Sequence, residues 1–176
     1  MYRKLRGTYP KVTWKKIICS NQGRPRWIFI LYLALQGKLY TNDKLIKWGK
    51  QYSPTCPLCV AAGESIQHLF FLCPISAGIW HQVLQWKGII KPVQGWMDEQ
   101  AWAKQHGTGN SAKAELYRMT PAGCVYYTWQ ERNQRLFQSK QRTEGSILRQ
   151  LIQDIHCRGA RLPRLAKQLD VLNFYP

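Results

Sequence analysis

Acidic residues are scarce in this chain: nine Asp and Glu stand against twenty-six Lys and Arg in 176 residues. A two-metal hydrolase or polymerase needs several convergent carboxylates, and no cluster of them is visible here, so the expectation is a protein that is not an enzyme and has no small-molecule substrate. Long apolar runs are missing too. The longest, Trp27–Leu35, has nine residues, against about 20 for a bilayer-spanning helix, which argues against a membrane partner. Met1–Lys16 lacks the apolar core of a secretory signal. The six cysteines are therefore expected as reduced thiols in an intracellular compartment. Cys19, Cys124 and Cys157, with no neighbour at ligand spacing, are expected as buried small hydrophobes. Strand-like alternation and internal repeats are also lacking, so the expected fold class is mainly α.

Positive charge is what the chain has in excess, a formal +17. It is uneven: residues 1–50 hold twelve Lys and Arg against Asp43 alone, and residues 51–110 are neutral. A solubilising surface would intersperse both signs. A surplus of one sign points instead to a phosphate-rich partner, with RNA ahead of DNA.

Helical spacing and breakers divide the chain into a basic N-terminal segment (1–24), a small zinc-stabilised helical domain (25–87), a connector (88–110) and a C-terminal helical region (111–176). A buried helix is expected from Trp27 to about Leu39. Thr41 is the expected N-cap of a second, closed by Gly49. Ser65 or Glu64 opens a short helix through Phe71, and Pro74 suits the first turn of Ile75–Trp86. Pro92, Gly95, Gly107 and Gly109 mark the connector. The C-terminal region holds a pair of longer helices, one started or kinked by Pro121 and running to about Gln138, the other Glu144–Cys157. Gly159 and Pro163 close the second, and the tail after it is read as one more short helix.

Cys56-Pro57-Leu58-Cys59, followed by His68 and Cys73, carries the sharpest chemistry. Zinc takes four nitrogen or sulfur donors at tetrahedral corners, and a C-x-x-C turn presents two thiolates at once. Three thiolates and one imidazole leave no open position, so one structural Zn²⁺ is expected rather than a catalytic one. The competing reading is a thiol redox pair, but such pairs sit in a βαβ setting that is not seen here.

These residues resemble a known family. Thr13–Trp80, with Trp14, the Pro25–Leu35 helix, GKLYTNDKL at Gly37–Leu45, Trp48-Gly49, the CPLC knuckle and HLFFLCP followed by Trp80, resembles the reverse-transcriptase zinc-binding domain. That domain lies near the C-terminus of the polyproteins of plant LINE-type, non-LTR retrotransposons. Trp129–Phe137 looks like the helix that commonly closes those polyproteins. The resemblance implies a nucleic-acid-binding accessory role, here expected in a stand-alone chain without endonuclease or polymerase domains.

Two basic groups are candidates for nucleic-acid contact. Arg3, Lys4, Arg6, Lys11, Lys15, Lys16, Arg24 and Arg26 interleave with Tyr9 and Trp14, a combination suited to single strands. Arg132, Arg135, Lys140, Arg142 and Arg149 form the second, for which a solvated helix face with a Glu131–Arg135 pair is the alternative. Trp27, Trp48, Trp80 and Trp129 are expected in the core, and Trp96 and Trp102 exposed. Two functions remain open: an RNA- or DNA-binding zinc module in the nucleus, or a structural subunit among the proteins of a larger ribonucleoprotein, such as a mitochondrial ribosome.

Overall fold

The computed structural model describes residues 14–172, and within them the regular structure is helical. The order is α1 (Lys15–Cys19), α2 (Pro25–Leu35), α3 (Asn42–Lys47), a π-type turn (His68–Leu72), α4 (Pro74–Trp86), α5 (Trp96–His106), α6 (Ala112–Gln138), α7 (Glu144–Gly159) and α8 (Pro163–Leu169). An isolated antiparallel bridge joins Thr55 and Gly63. Among the described residues no helix is long and apolar enough to cross a membrane.

The long helix α6 is the axis of the fold. Ser111 caps it by accepting a hydrogen bond from the Ala114 amide at 3.2 Å. Pro121 therefore lies inside the helix and does not start it. An interior proline forfeits one backbone bond, at a cost of about 3 kcal/mol. Here Leu116–Val125 is buried on all sides, and that packing outweighs the loss. Two residues on, Gly123 keeps the helix thin. A Cβ there would meet Leu151 Cδ1 at 2.5 Å and the Trp27 ring at 3.2 Å. Both α2 and α7 thus press against α6 at this point, and Trp27 sits edge-on to Tyr127 at 5.8 Å.

One cluster of buried side chains runs from Ile17 through Leu69, Trp80 and Leu116 to Leu169, so the zinc-binding stretch and the C-terminal helices share a core. The stretch 88–110 contains a helix, α5, that simple periodicity hides because its apolar and polar residues are nearly mixed. Gly95 precedes it, Asp98 and Glu99 occupy its first turn and Lys104 and His106 its last, as the helix dipole favours. Trp96, expected exposed, is buried against Phe70 and Phe71, and Trp102, half-buried, stacks on His106. Trp48 departs in the other direction and is 59% exposed. Cys19 and Cys157 are exposed as well, each lying on the solvent face of its helix, while Cys124 is buried as expected.

Candidate metal centre

Local backbone chemistry delivers four donors to one point. The Cys56 amide donates to the Ala62 carbonyl at 2.8 Å and the Val60 amide to the Cys56 carbonyl at 2.9 Å, closing the knuckle. Val60 completes the turn in the left-handed region, at φ 57°. Ser65 Oγ accepts from the His68 amide at 3.1 Å and so opens the short turn that carries the imidazole. That turn breaks at Phe71, held at φ 76° by ring packing on Trp80 and Trp96 and by its amide's bond to Ser76 Oγ. The break swings Cys73 onto the N-cap of α4, where the Ile75 and Ser76 amides bond to its sulfur.

The ligand atoms of Cys56, Cys59, His68 and Cys73 all lie within 4.8 Å of one another. Cys56 and Cys73 sulfurs are 4.0 Å apart, and Cys59 Sγ is 3.3 Å from His68 Nε2. A tetrahedron with 2.3 Å metal–sulfur bonds has edges of about 3.8 Å, and a disulfide would need about 2.05 Å. The contact with Cys73 pulls the Cys56 thiol down to about 5. The same contact, then burial, pushes Cys73 up. Two sulfurs this close oppose each other's ionisation, and a dication bound between them removes the conflict. Among the described residues no other group of His, Cys, Asp or Glu converges in this way.

Residues 1–80 match the family described as zinc-binding in reverse transcriptase. Residues 1–80 are thus similar to a reverse-transcriptase zinc-binding domain. No curated protein and no solved structure matches the chain. The donor set and the family agree on one structural zinc ion held by Cys56, Cys59, His68 and Cys73. That family is a zinc-binding accessory region of reverse transcriptases and not their catalytic part.

The zinc-binding domain is latched to α6 by groups that sequence reasoning had assigned elsewhere. Arg132 is 1% exposed. Its guanidinium donates to both Glu64 carboxylate oxygens at 2.8 Å and to Asn42 Oδ1 at 2.8 Å. Glu64 Oε2 also accepts from the Asn42 amide at 2.6 Å, so it caps α3 in place of the Thr41 side chain, which donates to Asp43. The Asn42 side-chain amide donates to the Ser53 carbonyl at 2.9 Å, steadying the segment that leads into Cys56. Arg135 donates to the Leu58 carbonyl, inside the knuckle, at 2.7 Å. It also pairs with Glu131, as does Arg142. Burial pushes the Glu131 carboxyl up, but the hydrogen bonds from these two arginines hold it below its ordinary range.

Arg132 is therefore no phosphate ligand: burial and the Glu64 fork consume all its charge. A lone acid before a metal-binding turn carries no signal that its partner lies 68 residues away. Arg135 and Arg142 are half-buried in their pairs, whereas Lys140 and Arg149 are exposed. In the first group Lys15, Lys16, Arg24 and Arg26 are exposed. Arg3, Lys4, Arg6, Lys11 and Tyr9 lie outside the described residues. Sequence reasoning missed Arg158 and Arg161, which join Arg24 and Arg26 around one open cleft of about 390 Å³.

Proposed function

We propose that the chain is a non-catalytic module, derived from a LINE-type retrotransposon polyprotein, that associates with RNA or DNA through a zinc-ordered basic surface. The observation that carries this reading is the cleft between the start of α2 and the end of α7. Arg24, Arg26, Arg158 and Arg161 line it, and among the described residues no acidic one does. Asp154, one turn before Arg158 on α7, pairs with Arg24 at 2.5 Å. Guanidinium groups converging on open space suit a phosphate backbone. A metal held by four protein donors offers no position for substrate. Glu64, Glu99 and Glu131 are each occupied by ion pairs. These features support a binding role; the free cysteines suit a reducing compartment, in this reading the nucleus.

Salt-titrated binding to oligonucleotides tests it. The log–log slope should be about −0.7 per phosphate contact on single strands and −0.9 on duplex. Changing Arg26 and Arg161 together to Gln should make the single-strand slope shallower by about 1.4. An unchanged slope means that the cleft touches no phosphate. The second reading, a structural subunit of a larger ribonucleoprotein, is favoured by Ile90 and Phe137, large apolar side chains left in solvent. In that case the purified chain should self-associate and bind oligonucleotides only feebly.

A further inference from the structure

A second surface combines exposed rings with positive charge. The C-terminal turn of α2 and helix α3 end on Gly37 (φ 64°) and Gly49 (φ 75°), each closed by paired backbone bonds of the Schellman type. The two glycine turns set Lys38 and Lys50 just beyond the helix ends. Beside the Gly37 turn opens a groove of about 470 Å³ whose lining includes Leu33, Leu39, Tyr40, Lys44, Trp48 and Trp129. Tyr40 and Trp48 are 60% and 59% exposed and meet edge-on at 5.3 Å. Lys44 donates to the Gly37 carbonyl, which fixes its ammonium at the groove. Lys38 lines it and is exposed, Lys47 is exposed one residue before Trp48, and none of the described lining residues is acidic.

Two large rings in solvent cost free energy unless something covers them. An apolar partner would be poorly served by a rim of lysines, and a duplex cannot offer a base face. We infer that this groove takes an unpaired base of single-stranded nucleic acid, stacked on Trp48 with Tyr40 as its wall. Lys38, Lys44 and Lys47 meet the flanking phosphates. Every base has a π face and both backbones carry phosphates, so RNA and DNA single strands share this chemistry. The inference rests on the nucleic-acid reading above and gives it a site.

The test uses the full, zinc-loaded chain with labelled single-stranded RNA, single-stranded DNA and duplex of equal length, read by anisotropy at several salt concentrations. Trp48→Ala should weaken single-strand binding about tenfold or more. It should leave the salt slope, duplex binding, zinc content and helical circular dichroism unchanged. Trp48→Phe should retain most of the affinity, and Lys38→Gln with Lys47→Gln should make the slope shallower. RNA and DNA arms that both keep wild-type affinity in Trp48→Ala would overturn the groove and leave the nucleic-acid reading standing. Equal loss on duplex would overturn it too, since no stacked base is involved there. Failure of the wild-type chain to bind any oligonucleotide would remove both. Loss of a dimer in Trp48→Ala, with single-strand binding intact, would give the face to a second copy and overturn the proposal.

Discussion

Arg132→Met removes the hub of the latch while leaving much of the aliphatic stem in place. Two 2.8 Å bonds to Glu64 and one to Asn42 disappear, and the Glu64 carboxylate stays buried with the Asn42 amide as its remaining partner. Breaking a buried pair by deleting one side costs about 3–5 kcal/mol, because the other charge is left uncompensated. Against a total stability of about 5–15 kcal/mol, that loss is severe. Urea unfolding at fixed free zinc should report it, since zinc binding otherwise shifts the apparent midpoint. Adding Glu64→Gln should restore part of the loss by discharging the orphan, the non-additivity expected of a direct pair. Arg132→Lys keeps charge but loses the fork and should fall between. A loss under about 1 kcal/mol for Arg132→Met would refute the buried-pair argument. So would a single-strand salt slope made shallower by about 0.7, because Arg132 would then be reaching a phosphate.

Burial, with Lys113 nearby, lowers Lys87 to about 8 from its ordinary 10.5. The folded chain then binds fewer protons than the unfolded one between those values, so stability should rise with pH from 8 to 10.5. Lys87→Met should flatten that rise and stabilise the chain at pH 7 by up to about 3 kcal/mol, measured as a denaturant midpoint at each pH. Gly123→Ala should destabilise by about 1–3 kcal/mol by forcing α2 and α7 away from α6; a neutral or stabilising result in thermal unfolding would contradict the close packing. Ser111→Ala should cost about 1 kcal/mol as the cap of α6 is lost, again read from the thermal midpoint.

The zinc ligands were legible because metal chemistry writes itself in spacing: C-x-x-C, a histidine and a fourth thiol need no tertiary knowledge to recognise. Helices α2, α4 and α7, and α6 from Pro121 onward, were legible from apolar period and from the prolines and glycines near their ends; the turns of α6 before Pro121 and its Ser111 cap were not, since packing around Leu116–Val125 overrides a local breaker. Helix α5 was hidden by its mixed faces, and Trp96 was misjudged with it. Arg132 and Trp48 are the instructive pair. An arginine in a basic run reads as surface, and a tryptophan between lysines and a glycine reads as core, yet the structure places each in the other's setting. The first outcome depends on a contact far along the chain, since Glu64 supplies the charge that buries Arg132; the second depends on the chain's path, which leaves Trp48 at the surface with the edge-on Tyr40 ring beside it.

Metal analysis of the purified full chain asks whether one structural zinc orders the fold. One zinc per chain is expected, lost on strong chelation together with the helical circular dichroism signal, as where binding energy is folding energy. Cys59→Ser or His68→Ala should lower both the stoichiometry and the folded fraction. Well under one zinc per chain, in protein whose unfolding is indifferent to chelator, would contradict it.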